Sequence, residues 1–170
     1  MYKVFAKNAK LRETLWHWWA KLDENRGDRA KLRRAHSIAA VVLCPAYQRL
    51  YKQLVEAGWK DEQRYRAKDD YLAAAIGLIA HIDRKNNQDG LSPVKAMGAK
   101  DGDRPAVSEL RFLRVLESPD AESLFTGLRR LLPLMEKSGF SVMSLVDDVV
   151  NWDDGVKKQW AYDYDWPTKA

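Results

Sequence analysis

The sequence lacks the features that would place the chain outside the cell or in a membrane. It contains one cysteine, Cys44, so no disulfide can form within the chain. Its longest apolar run, residues 38–43, is far shorter than the roughly 20 residues that span a bilayer. The first residues contain no apolar run typical of a signal peptide. We therefore expect a cytoplasmic protein without membrane contact, with Cys44 as an inert core thiol.

The sequence also lacks the motifs of metal sites and of common enzymes. It has no Walker loop, no GxGxxG and no GxSxG motif. The three histidines, His17, His36 and His81, are not at the spacings from other ligand residues that zinc requires. We therefore predict no catalytic residues, no metal and no cofactor. One enzymatic alternative is a helical hydrolase that uses His81 and Asp83 with another carboxylate.

Strand patterns are missing as well, because no alternation of apolar and polar residues runs beyond a few positions. Apolar side chains instead recur at helical spacing, as in residues 10–23 and 45–57. Residues 84–104 have no helical period and are rich in glycine, proline and asparagine. We predict an all-α fold of two small helical bundles joined by a long loop, with an N-terminal lobe at 1–85, a linker at 86–104 and a C-terminal lobe at 105–170.

Several helix boundaries follow from capping residues. Pro45 suits the first turn of a helix that Gly58 ends. Ser108 and Asp120 suit the beginnings of two further helices. Residues 71–83 are apolar on nearly all sides of a helix, which predicts the buried helix of the first lobe.

Positive charge is concentrated near the N-terminus. The net charge is +5, and residues 1–36 hold ten lysines and arginines against four acidic residues. The excess is largest after the tryptophan-rich helix, where a break is expected at residues 25–27, supplied by Gly27, and a short basic helix at residues 29–36. A basic surface of this kind suits a polyanion such as nucleic acid.

Arginine dominates this basic segment, and its guanidinium fork fits phosphate better than the ammonium of lysine does. On a helix, Arg26, Arg29 and Arg33 share one face, which Arg34 flanks. Further arginine pairs recur in the second lobe beside apolar stripes. The predicted nucleic-acid-binding residues are Arg26, Arg29, Arg33, Arg34, Arg111, Arg114, Arg129 and Arg130.

Two other roles remain open for these arginines. They could form a solvated face with local ion pairs. Alternatively, Arg29 or Arg129 could pair inside the fold with carboxylates such as those of Asp28, Glu122 or Asp148. The chain would then be a helical scaffold or protein-interaction subunit with no direct nucleic-acid contact.

The aromatic residues have two expected uses. The aromatic segment at residues 162–167 is a candidate docking edge for a protein partner, since tryptophan and tyrosine favour interfaces. The core is expected to contain Trp16, Trp18, Trp19, Trp152 and Trp160.

Five segments in order form a recognisable pattern. They are RG-x-RA-x-LRR at Arg26–Arg34; a segment similar to RF-x-RLL at Arg111–Leu116, in which Val115 replaces a leucine; LRRL at Leu128–Leu131; a segment similar to D-L-x-x-W at Asp147–Trp152; and W-x-x-x-Y at Trp160–Tyr164. In this order and spacing they resemble the CasB family, the small subunit of the type I-E CRISPR surveillance complex Cascade.

The resemblance implies an all-helical, non-catalytic subunit of an antiviral ribonucleoprotein. CasB proteins sit as two stacked copies along the guide RNA and its protein filament. The implied partners are the large subunit CasA, the backbone subunit CasC, a second copy of the chain, the guide RNA complex, the target DNA and the displaced single strand. The basic faces would hold both DNA strands without sequence preference and so stabilise the R-loop.

Overall fold

Helices make up nearly all of the regular structure, which confirms the predicted all-α class. The computed structural model describes residues 4–59 and 63–169, with side chains described throughout these ranges except at 63–67. The helices are α1 Val4–Lys7, α2 Ala9–Lys21, α3 Arg26–Arg34, α4 Ile38–Val42, α5 Pro45–Ala57, α6 Gln63–Ile79, α7 Pro93–Gly98, α8 Glu109–Leu116, α9 Ala121–Met135, α10 Val142–Val150 and α11 Asp154–Asp163. No helix within the described ranges is long and apolar enough to cross a bilayer.

Local capping sets where several helices begin and end. The side chains of Ser108 and Asp120 each accept a hydrogen bond from the amide three residues later, at 3.4 and 2.7 Å. Helices α8 and α9 therefore begin where the sequence predicts. Helix α5 has Pro45 in its first turn and ends at Gly58, whose φ of +121° favours glycine.

Helix α6 lies at the centre of the core. Residues 72–80 are all buried, as predicted for a segment that is apolar on nearly all sides, and the helix packs against α4, α9 and α10. Gly77 permits this packing, because a Cβ atom there would lie 2.9 Å from side-chain atoms of Val41 and Phe125. One hydrophobic cluster consequently includes residues from both sides of the predicted linker.

The segment expected to be a long loop contains regular structure. A 3-10 turn spans Arg84–Asn86, and α7 packs against α9, α10 and α11. Strands β1 Lys100–Asp101 and β2 Arg104–Pro105 then form a two-residue antiparallel pairing. The high content of glycine and proline hides α7 in the sequence, although Ser92 caps it and Pro93 occupies its first turn. The division of the chain into two lobes at residues 86–104 stays a prediction.

The N-terminal helix is attached to the C-terminal half of the chain by a buried carboxylate. Asp147 on α10 accepts hydrogen bonds from the amides of Phe5 and Ala6, at 2.7 and 2.9 Å. Its side chain satisfies amides at the beginning of α1, where the helix itself offers them no acceptor. The ring of Phe5 is fully buried beside Trp59, so α1 is part of the core.

Candidate nucleic-acid interface

The basic helix begins earlier than the sequence predicts. The break expected at residues 25–27 lies at residues 22–25, because helix α3 starts at Arg26 and Gly27 is inside its first turn. Leu32 is fully buried and attaches the helix to the core. Arg26 and Arg34 are exposed, and their side chains form no ion pair or hydrogen bond with any residue that the structure describes.

Two arginines of α3 are oriented by the end of α6. The Nε atoms of Arg29 and Arg33 both donate to the carbonyl oxygen of Ala80, at 3.3 and 2.9 Å. This carbonyl directly follows the last turn of α6, where helix carbonyls lack intrahelical partners and carry partial negative charge. The two side chains are therefore held in place at a site that favours cations.

Carboxylates complete the surroundings of these two arginines. Arg29 pairs with Asp23 at 2.9 Å and with Asp83, and Arg33 Nη2 lies 3.5 Å from the same Oδ1 atom of Asp83. The hydrogen bond from Arg29 holds the pKa of Asp83 below its usual value. The alternative of internal pairing thus applies to Arg29, but its partners are not the expected Asp28, which lies 3.9 Å from Arg49.

Arg129 joins the two parts of the chain that carry the candidate arginines. Its Nη2 atom donates to the carbonyl oxygen of Arg33 at 3.0 Å, and its Nη1 atom contacts Nδ1 of His36. Neither partner is a carboxylate. Of the other expected carboxylate partners, Glu122 accepts from the amide of Ile38, at the beginning of α4.

The remaining candidates lie along a groove between α8 and α9. Arg111, Arg114 and Arg130 line this groove, which has a volume of about 940 Å³ and apolar side chains such as Leu131 in its wall. A smaller adjoining depression contains Arg130 and Arg129. The side chains of Arg111, Arg114 and Arg130 are exposed and have no ion-pair or hydrogen-bond partner within the described ranges.

Contacts and shared grooves connect six of the eight predicted arginines into one basic surface, and Arg26 and Arg34 are exposed on the same helix as Arg29 and Arg33. We call this surface the arginine row; in order from α3 through α9 to α8 it consists of Arg26, Arg29, Arg33, Arg34, Arg129, Arg130, Arg114 and Arg111. Contacts through Arg129 connect its two ends, which lie far apart in the sequence. The row is not purely basic, since Glu117 and Glu122 also line the groove.

His81 lies close to this surface, and its position among the arginines was not predicted from the sequence. Burial lowers its pKa to about 4, with further contributions from the positive charges of Arg129, Arg33 and Arg29. His81 is therefore neutral at physiological pH. Asp83 pairs with arginines, and no hydrogen bond joins it to His81 among the described side chains. The contacts of these two residues therefore do not support the alternative of a helical hydrolase that uses His81 and Asp83.

The residues that hold the row together are distant in sequence from the arginines they contact. Ala80 and Asp83 lie about fifty positions after Arg29, and Arg129 lies 96 positions after Arg33. Helical periodicity reports only neighbours within a few residues. It found the cationic side chains but could not find their partners.

The aromatic residues lie mostly where they were expected. Trp19, Trp152 and Trp160 are buried, and two further members of the expected core, Trp16 and Trp18, are partly buried against it. The candidate docking edge is held by the chain itself, because Tyr164 Oη donates to the carbonyl of Val107 at 2.6 Å. Tyr162 is 86% exposed and is the part of this segment most available to a partner.

Most of the chain matches a known protein family. A family model described as CRISPR-associated protein Cse2 matches residues 28–164. Among solved structures, the fold is similar to that of a chain in a crystal structure of E. coli Cascade bound to a PAM-containing double-stranded DNA target. That match has a TM-score of 0.64 at 21% identity and covers 88% of this chain and 91% of that chain, so it shows a shared fold. No curated protein has a matching sequence.

Proposed function

Since the chain belongs to the CRISPR-associated Cse2 family, also called CasB, we propose that it is a non-catalytic subunit of a type I-E Cascade ribonucleoprotein. In this role the arginine row binds phosphates of the target strand and of the displaced strand, without sequence preference. Its partners are the CasA and CasC subunits, a second copy of the chain, the guide RNA complex and the two DNA strands.

The observation that carries this proposal is the continuity of the arginine row. Arg129 connects two clusters that are separate in the sequence, and five of the eight guanidinium groups have no ion-pair or hydrogen-bond partner in the described part of the chain. A row of unpaired guanidinium groups suits the regular spacing of phosphates along a strand. Their number provides affinity that depends on salt rather than on sequence.

Such contacts are sufficient to affect an R-loop. Exchanging a DNA duplex for a guide–target heteroduplex is nearly balanced in free energy, so modest contacts to the strand backbones shift the equilibrium. Each phosphate contact that is made only in the open state favours that state. The proposed role therefore requires no catalytic group on this chain.

The test is charge reversal at exposed members of the row. The double variant Arg34→Glu, Arg130→Glu should bind single-stranded and double-stranded DNA more weakly, and its dependence on salt should be shallower by about 0.7 to 0.9 per lost phosphate contact. Lys158→Glu, at an exposed position on α11 outside the row, makes the same change of charge per site and is the control. Fluorescence anisotropy at several salt concentrations measures both quantities.

The second candidate is a scaffold that makes no nucleic-acid contact, and the internal pairing of Arg29 favours it. A scaffold would show no DNA binding that weakens as the ionic strength rises. The double variant and the control would then give the same anisotropy. Co-expression with neighbouring subunits then tests membership of the particle separately. Co-purification with an RNA-containing particle is expected under both candidates, and its absence would contradict the assignment to Cascade.

A further inference from the structure

Asp83 is an acidic residue in the middle of the arginine row. Its Oδ1 atom contacts Arg29 and also lies 3.5 Å from Nη2 of Arg33, so a single oxygen faces two guanidinium groups. Lys85, just after it, contributes further positive charge. The surroundings of this carboxylate are those expected of a bound anion.

In the described part of the chain, the side chain of Asp83 forms ion pairs and hydrogen bonds only with Arg29 and Arg33. Asp83 stands at the N-cap position of the 3-10 turn Arg84–Asn86, where an aspartate commonly accepts a backbone amide. Its side chain does not cap that turn. The side chain is 44% exposed and that of Arg33 is 40% exposed, so an anion from solution can reach the same guanidinium groups.

The two arginines have an anchor that is separate from the carboxylate. Their Nε atoms are held by the carbonyl oxygen of Ala80, and only terminal nitrogens face Asp83. A phosphodiester oxygen could therefore replace the Asp83 oxygen without reorganising the anchored part of either side chain. Both are anionic oxygen acceptors of charge-assisted hydrogen bonds.

We propose that the Asp83 carboxylate occupies the place of a phosphate between Arg29 and Arg33, and that it thereby limits how tightly the arginine row holds a polynucleotide. This inference rests on the proposed function. A phosphate that binds here must displace the carboxylate and so gains less than it would at an empty pair of arginines. Asp83 thus lowers the affinity of the row for a polynucleotide, because it occupies terminal nitrogens of Arg29 and Arg33.

The test compares two substitutions that each remove one negative charge. Asp83→Asn keeps an acceptor oxygen for Arg29 but removes the competing anion. The matched control is Asp28→Asn. Asp28 lies on α3, the helix that carries Arg29 and Arg33, but it pairs with Arg49, which is outside the row. Binding of a single-stranded oligothymidylate is measured by fluorescence anisotropy at several salt concentrations.

Asp83→Asn should bind about threefold to tenfold more tightly than the unmodified chain, the scale of exchanging one half-exposed ion pair for a phosphate contact. Its salt dependence should be steeper by about 0.7. Asp28→Asn should change affinity by less than about twofold. The gain should also vanish when Asp83→Asn is made in an Arg33→Ala background, because it depends on that guanidinium.

Other outcomes overturn the inference in distinguishable ways. Weaker binding by Asp83→Asn would make Asp83 a residue that positions the arginines, and an equal gain in Asp28→Asn would indicate a general effect of charge. Salt-dependent binding by the unmodified chain without a gain in Asp83→Asn would overturn this inference alone. The absence of such binding would overturn the proposed function as well.

A measurement on the unmodified chain tests the inference even if the variant misfolds. If a phosphate displaces the carboxylate, the carboxyl ¹³C signal of Asp83 should shift when the oligonucleotide is added. Asp101, which pairs with Lys137 outside the row, provides the reference signal. A signal of Asp83 that stays fixed while the oligonucleotide binds would overturn the inference.

Discussion

Replacing Arg129 by methionine should affect both stability and nucleic-acid binding, whereas the same replacement of its neighbour Arg130 should affect binding alone. The two residues are adjacent on α9, and each substitution removes one positive charge. Arg129 is partly buried and contacts the carbonyl of Arg33 and the ring of His36. Arg130 is exposed and has no such partner in the described ranges. Methionine keeps an unbranched apolar stem in both variants.

The magnitude follows from what Arg129 contacts. A hydrogen bond from a charged donor contributes about 1.5 to 3 kcal/mol when buried, so we expect about 1 to 2 kcal/mol for these partly exposed contacts. In a chain of 170 residues this lowers Tm by about 2 to 8 °C. Loss of the Arg129 charge should also raise the pKa of His81 from about 4, although burial keeps it below 6.5. Arg130 does not contribute to that pKa shift.

Three measurements separate the two variants. Thermal unfolding followed by circular dichroism reports stability, titration of the His81 ring by NMR reports its pKa, and anisotropy reports DNA binding. Arg129→Met should change all three quantities, and Arg130→Met only the last. Equal Tm values for the two variants, or an unchanged His81 pKa in Arg129→Met, would refute the connection that we assign to Arg129.

Two further predictions concern buried titratable groups. Because the folded chain holds the pKa of His81 at about 4 against 6.5 for the ordinary group, unfolding takes up a proton between these values. Stability should therefore fall as pH decreases from about 6.5 to 4, and His81→Gln should give a flatter curve of Tm against pH; parallel curves would contradict this. Asp147→Ala leaves the amides of Phe5 and Ala6 without their buried acceptor and should lower the free energy of unfolding in urea by about 2 to 4 kcal/mol. Asp103→Ala, at an exposed position, is its control, and equal stability of the two variants would exclude this anchoring role.

The sequence predicted those parts of the fold that depend on local signals. Ser108 and Asp120 cap their helices through amides three residues away, and Pro45 with Gly58 bounds α5. Residues 72–80 are buried because every side of that helix is apolar. Such features require no knowledge of distant partners.

The errors arose where composition misrepresents local structure. Gly27 was expected to break the chain, but its φ is not in the left-handed region and the position lies in the first turn of α3, where a glycine disturbs little. Helix α7 was missed because glycine, proline and asparagine residues interrupt the helical period of the segment around it. Its burial against α9, α10 and α11 stabilises a segment of only six residues.

The candidate site could be predicted only as a set of cationic side chains, because tertiary contacts decide which of them are available. The carbonyls of Ala80 and Arg33 lie at or near the carboxyl ends of α6 and α3, and each accepts from arginines. Those helix ends carry partial negative charge, so they stabilise guanidinium groups at the centre of the row. Arg29, Arg33 and Arg129 are thereby fixed in the fold, and the exposed arginines on either side keep their terminal nitrogens for a ligand. The anchored arginines lose little side-chain entropy on binding, since folding has already ordered them. The row thus presents ordered guanidinium groups at its centre, where Asp83 competes with a phosphate, and guanidinium groups without such anchors at its ends.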